Sequence, residues 1–388
     1  MRRLMLTAAA LAAMAVNAQA ADQIKLGLMV GATGVAGAVG EEQRRGLDLA
    51  LGDLDNKLGG VPVKLYFEDD KGDPATAVQV SSKLIDDAHV DIVTGFTASN
   101  VLIAVEKTFL ESGIWVIGAL AGPQEFAGKG CNENAFHTSF ENEDWDDALG
   151  TYMNGKGVKS VYFMGADYQA GWEKIGGAMR YYKGKAIGPT YTPLTQLDLA
   201  AEISQLRAAD PEAVFLFYPG GTGIAFIKQF AQAGLHGKIK IFSEDTIASE
   251  LSFPAEGDNA LGIIQSTSWS YELDNPANKK FVAEFTQKYG RRPTIFSALQ
   301  YDAINLIDSA VTAVKGNIAD KDAFRAALRK ADFKSVRGPF KFDNNHYPIQ
   351  NIYITEVEKD DKGLKLALKG IAVENWRDQY HDQCPMKW

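Results

Sequence analysis

IKLGLMVGATG at residues 24–34, EEQRRGLDLALGDLDNKLGG at 41–60 and VPVKLYFEDDKGDP at 61–74 together set the fold class. The first opens with an apolar run, 24–30, of the length of a buried strand. In the second, Leu47, Leu51, Leu54 and Leu58 recur at helical spacing over 40–58, and Gly59-Gly60 ends the helix. Residues 61–67 alternate like a strand. Asp73-Pro74 then supplies an N-cap and a first-turn proline for a helix through 84. Strand 90–95, helix 98–111 and strand 114–117 complete a βαβαβ series.

A second series begins after Gly157. Strands are expected at 158–164, 185–191, 213–218 and 239–242, with helices at 169–182, 197–209 and 223–233. Strand–helix units of about thirty residues are what parallel pairing with crossover helices requires. The sequence therefore predicts an α/β protein of two lobes, each a parallel sheet flanked by helices, joined near 140–143. Helices at 275–289, 296–314 and 320–330 bring no strands of their own and must pack on an existing sheet. The chain thus returns to the first lobe for these helices and to the second for its last strands, including 351–357. Lobe 1 is expected to comprise 21–140 plus about 270–340, and lobe 2 141–269 plus about 341–388, with a three-segment hinge.

Residues 1–20 carry Arg2 and Arg3, an apolar stretch over 4–16, and Ala18-Gln19-Ala20. That pattern is a secretory signal peptide cleaved after Ala20. It is expected to export the chain, with no cysteine at the cleavage point to carry a lipid. The whole chain has a net charge of −9; without Arg2 and Arg3 it has 38 basic and 49 acidic residues, or −11. An acidic chain without a basic stripe is not a nucleic-acid binder. The two cysteines, Cys131 and Cys384, suggest one disulfide in an oxidising compartment, the alternative being two buried thiols.

Enzyme signatures are absent: there is no GxSxG, no HExxH and no Cys/His pairing suited to a nucleophile. No catalytic residue, metal ligand or cofactor is assigned. The run 150–157 resembles a phosphate-binding loop but lacks its final Ser/Thr, and reads as a glycine-terminated helix. Gly221-Thr222-Gly223 fails the dinucleotide fingerprint at Phe226 and reads as a turn after a strand. The acidic runs 68–70 and 141–147 read as solvated or helix-capping. What remains is a set of polar and aromatic residues where strands end, the place where open α/β sheets bind ligands. These are Phe96, Thr97 and Ser99, then 118–123, Asp167-Tyr168, Tyr218 through Thr222, and Ser243-Glu244-Asp245-Thr246.

The leader, IKLGLMVGATG, the helix at 41–60, PVKLYFEDDKGDP and VTGFTASN at 93–100 resemble the leucine/isoleucine/valine-type periplasmic solute-binding proteins of ABC importers. The similarity runs in order through nearly the whole chain after the leader. It implies two lobes closing by rotation about the hinge on a small ligand, and delivery to an inner-membrane ABC permease by a monomer. It implies that Ser99 and the backbone of Leu120, Ala121 and Gly122 take the ligand carboxylate. Tyr168 and Phe296 become cleft walls, and Asp245 the partner of a ligand ammonium, with Glu244 beside it. Two departures are expected to enlarge the pocket: Gly122 stands where amino-acid binders carry a threonine, and Val39 replaces an aromatic. Phe96, Tyr218 and Trp269 are then candidates to line space for a bulkier ring. The ligand is expected to be an apolar amino acid or an aromatic carboxylate, for transport or for ligand sensing.

Overall fold

The computed structural model describes residues 21–387, so the expected leader and its cleavage site lie outside the described residues. The first sheet is assembled from β1 (Ile24–Val30), α1 (Gly37–Asp53), β2 (Lys57–Leu58), β3 (Val61–Asp69), α2 (Pro74–Ser82), β4 (Ile92–Gly95), α3 (Ser99–Glu111), β5 (Trp115–Gly118), α4 (Gln124–Ala127) and β6 (Ala135–His137). Its strand order is β2-β3-β1-β4-β5-β6, and every pairing except β2 with β3 is parallel. Asp73 caps α2 as expected, accepting from the amides of Ala75 and Thr76 ahead of Pro74. Helix α1 stops at Asp53 rather than at 58. Asp55 and Asn56 turn into positive φ there, which frees Lys57–Leu58 to pair with β3.

The second sheet comes from α5 (Asp144–Gly155), β7 (Ser160–Ala166), α6 (Gln169–Tyr181), β8 (Lys185–Thr192), α7 (Ala200–Ala209), β9 (Ala213–Phe217), α8 (Gly221–Gln232), β10 (Lys240–Glu244), α9 (Phe253–Glu256) and β11 (Ile264–Thr267). The chain continues through α10 (Pro276–Tyr289), α11 (Ile295–Ala313), α12 (Lys321–Lys330), β12 (Lys341–Phe342), β13 (Pro348–Asp360) and β14 (Gly363–Trp376). Strands β8, β7, β9, β10 and β11 are parallel; β13 runs antiparallel beside β11, and β14 is its hairpin partner. Helices α10 to α12 share one buried cluster with α1 and the first sheet, including Leu47, Phe281, Ile304 and Phe324. The crossing of α1 on α11 is close: a Cβ on Gly46 would lie 2.2 Å from the Ser297 carbonyl oxygen. The backbone therefore passes between the sheets in three places, 138–143, 268–275 and 331–340.

Two expectations change. Gly221-Thr222-Gly223 is no turn: it opens α8, after Gly220 at a φ of 62°. The acidic run at 141–147 is not solvated, because Glu141, Glu143, Asp144, Asp146 and Asp147 are all buried in and before the first turn of α5. Arg180 pairs with Glu143 at 2.7 Å and Asp147 at 3.0 Å, and Trp376 donates to Asp144 at 2.8 Å. Those partners come from α6 and β14, far away in sequence. Cys131 and Cys384 form a disulfide that ties the segment after β14 to the loop after α4.

Candidate ligand-binding site

Between the two sheets, where strands of both lobes end, lies a cavity of about 300 Å³. Its first wall is the start of α3. The first amides of any helix lack intrahelical acceptors and carry the positive end of its dipole, so this wall suits an anion. Ser99, the first residue of α3, is buried, and its hydroxyl oxygen accepts from Asn142 Nδ2 at 2.9 Å. The hydroxyl proton has no acceptor among the described residues, and Ser99 lines the cavity. Asn142 also donates to Glu173 at 2.6 Å, which fixes the amide and its tie to the second lobe.

The opposite wall is aromatic and carries one buried charge pair. Lys174 reaches from α6 to Glu244 at the end of β10, with Nζ 3.0 Å from Oε2, and donates to the Asn142 carbonyl at 3.1 Å. Asp146 stands 3.7 Å from the same ammonium. The ammonium lies 4.8 Å from the Phe140 ring centroid and 5.3 Å from that of Phe217, favourable cation–π distances. Burial pulls the Lys174 ammonium down, but Glu244 first, and Asp146 in its ionised form, more than offset it and hold it above its ordinary value. Burial pushes the Asp146 carboxyl well up, against the pull of Lys174. Tyr168, at the start of α6, stacks on Phe217 with centroids 6.1 Å apart. Leu120, Ala121, Phe296 and Val39 close the remaining sides.

Of the residues singled out from sequence, Thr97, Ser99, Leu120, Ala121, Tyr168, Glu244 and Phe296 line this cavity together. Thr97 is spoken for, donating to Gln43 at 2.6 Å and accepting from the Gly31 amide at 3.1 Å. Phe96 points instead into the core beneath α3, edge-on to Phe109 at 6.2 Å. Tyr218 is buried beside α8 and bonds Thr192 at 2.8 Å. Thr222 donates to the Leu194 carbonyl at 2.7 Å and borders a second cavity of about 520 Å³, which adjoins the first at Val39 and Phe296. Trp269 belongs to the core around α10 and donates to Asn278 at 2.7 Å. Asp245 faces away, toward a small void that it shares with Trp269.

Strand parity explains Tyr218 and Asp245. Alternate residues of a strand point to opposite faces. Phe215 and Phe242 point to the face covered by α5 and α6, which also carries Lys174, so Phe217 and Glu244 follow them toward the cavity. Leu216 and Ile241 point to the α8 face, and Tyr218 and Asp245 share their parity. Gly122 is not among the cavity-lining residues; its carbonyl accepts from the Asn142 amide at 2.7 Å. A Cβ there would lie 1.8 Å from the Phe140 carbonyl oxygen, so the hinge, and not empty space, occupies the position. Of the two departures expected to enlarge the pocket, only Val39 borders it.

Lys174, Asn142, Phe140 and Phe217 were not anticipated. A signal existed for Lys174: Gly171, Lys174, Ile175 and Ala178 form the buried stripe of α6 at i, i+3, i+4, i+7 spacing, and a lysine there is out of place unless paired.

Two parallel-sheet lobes around a ligand-sized cavity, with three hinge segments, are the type I architecture of the solute-binding proteins that serve ABC transporters. The chain belongs to the periplasmic binding protein family, whose model matches residues 23–362. It is a binding protein and not an enzyme, and the family places it in the periplasm with a small-molecule ligand and a permease partner. No helix among the described residues is long and apolar enough to cross a membrane. It is 27% identical over 374 residues to Leu/Ile/Val-binding protein homolog 6 of Brucella melitensis, covering 94% of this chain and 95% of that one. A solute-binding protein of an R. palustris ABC transporter in complex with benzoate superposes with a TM-score of 0.89 at 30% identity, covering 94% of this chain and all of that one. A second, from Rhodopseudomonas palustris BisB5 in complex with 3,4-dihydroxy benzoic acid, gives 0.86 at 26% identity, covering 92% of this chain and 99% of that one.

Proposed function

We propose that this protein captures a small aromatic carboxylate between lobe 1 (21–140 plus about 270–340) and lobe 2 (141–269 plus about 341–388), closes over it, and delivers it to an inner-membrane ABC permease. One observation carries the choice of ligand: the buried cation in the cavity lining is the protein's own Lys174, already paired with Glu244. A carboxylate is received by Ser99 and the start of α3, and a flat ring fits between Tyr168, Phe217 and Phe296. An α-amino acid brings an ammonium as well. Asp73 also lines the cavity but caps α2, so Glu244 is the buried carboxylate left to it, and there the ammonium would stand beside Lys174, where like charges repel. Asp245, the other candidate partner, faces elsewhere. The benzoate complex of the 30% identical R. palustris protein supports the reading.

The second reading is an apolar amino acid. The name of the Brucella melitensis relative favours it, as does the oxygen of Glu244 that Lys174 does not use. Thermal melting with benzoate, phenylacetate, leucine and valine separates the two, since a ligand bound only by the folded state raises the melting temperature. Benzoate or phenylacetate should raise it at micromolar to millimolar concentration, and leucine should not. A larger shift with leucine or valine than with either aromatic acid overturns the proposal.

A further inference from the structure

We infer that Glu244 and Lys174 act together as a reader of hydroxyl groups, so that the preferred ligand is an aromatic acid bearing a ring hydroxyl on the side facing the second lobe. The inference rests on the aromatic-carboxylate reading above and narrows it. Glu244 is fully buried at the end of β10 and lines the cavity. Its Oε2 is held by Lys174 at 3.0 Å, while its Oε1 has no hydrogen-bond partner among the described residues. A buried carboxylate oxygen without a donor is strongly disfavoured, so whatever fills the cavity beside it must donate a hydrogen bond.

Lys174 narrows the donor further. An ammonium has three N–H groups, and two are used, toward Glu244 at 3.0 Å and the Asn142 carbonyl at 3.1 Å. Asp146, at 3.7 Å, is beyond hydrogen-bond length from the third. The pair thus offers one free acceptor and one free donor a few ångströms apart. A hydroxyl satisfies both with a single oxygen. An ammonium satisfies the acceptor but meets the lysine charge. An ether oxygen satisfies the donor and leaves Glu244 Oε1 bare, and an unsubstituted ring satisfies neither. Ser99 and the α3 start lie on the other lobe, so the carboxylate and the hydroxyl are read from opposite sides of the cleft. A ligand needing both lobes to complete its hydrogen bonds also favours the closed arrangement.

Calorimetry with benzoate, 3-hydroxybenzoate, 4-hydroxybenzoate and the matching methoxybenzoates tests this on the unmodified protein. At least one hydroxybenzoate should bind on the order of tenfold or more tightly than benzoate, and its methoxy counterpart should lose that gain. In Glu244→Gln the ratio of hydroxybenzoate to benzoate affinity should fall below about threefold, whatever happens to benzoate itself, because the charge-assisted bond is lost. Benzoate binding as tightly as both hydroxybenzoates overturns the inference and leaves the aromatic-carboxylate reading intact. Leucine binding in place of every aromatic acid overturns both. A preference that persists in a folded Glu244→Gln, checked by its urea midpoint, assigns the reading to another group and overturns the inference. Should that variant not fold, the ligand series decides alone.

Discussion

Two of the buried ion pairs among the described residues are built to opposite ends. At the hinge, every side-chain nitrogen of Arg337 and both carboxylate oxygens of Asp302 have a hydrogen-bond partner. Arg337 meets Asp302 at 3.1 Å, the Thr138 and Ser139 carbonyls at 2.6 and 3.3 Å, and Gln350 at 3.0 Å. Asp302 also accepts from Ser335 at 2.5 Å and the Val336 amide at 3.0 Å. In the cavity, Lys174 and Glu244 form a pair just as deeply buried, yet one oxygen of Glu244 and both of Asp146 lack hydrogen-bond partners among the described residues. A desolvated pair repays its burial when every remaining donor and acceptor is satisfied. The hinge pair meets that condition within the protein and pins three segments of chain together. The cavity pair leaves part of the condition to a ligand.

Breaking the closed pair should have the largest effect. Arg337→Met strands the Asp302 carboxylate and releases two hinge carbonyls, so urea unfolding should show a loss of about 3–5 kcal/mol. A loss under about 1 kcal/mol would erase the contrast. On the open side, Ser99→Ala removes the hydroxyl donor facing a ligand carboxylate. Calorimetry with the best aromatic acid should show affinity weakened by about 1.5–3 kcal/mol; unchanged affinity would take Ser99 out of the site. The smallest effect belongs to Asp146. Its carboxyl is raised from 3.8, chiefly by burial, so the folded protein keeps this proton where the unfolded chain gives it up. The stability this group adds is complete below pH 3.8 and is lost as pH rises toward the folded value. Asp146→Asn, which imitates the protonated acid, should therefore change stability by less than about 0.5 kcal/mol at pH 4. It should then become the more stable protein as pH rises to 8, measured by urea midpoints across that range. A gap that closes with rising pH would mean Asp146 is charged in the folded state.

The fold was legible because its signals are local. Caps, glycine stops and alternating apolar runs mark α2, α3, α10 and α11 to within a residue or two of their observed ends. Strand β14 was not read, because it is a half-exposed edge strand with shifted register against β13 and an irregular apolar pattern. The site was half legible. Helix starts and strand ends located Ser99, Tyr168 and Glu244, and the family resemblance located Phe296. Sequence does not reveal which face of a doubly covered strand looks into the cleft, since both faces of β9 and β10 are buried. A parity error of one residue put Tyr218 forward instead of Phe217 and gave Asp245 the role beside Glu244. The burial of 141–147 was hidden for another reason. An acidic run reads as solvated until Arg180, Lys174 and Trp376 arrive from distant parts of the chain.

The disulfide has a consequence for the order in which the molecule can be finished. Cys131 and Cys384 are 253 residues apart, and every strand of the second sheet, β14 included, lies between them. A chain emerging amino end first presents Cys131 long before its partner exists on the same side of the membrane. The bond can therefore close only on a chain whose second sheet has fully crossed. A free thiol at Cys131 marks an unfinished molecule, and its disappearance reports that both lobes have arrived.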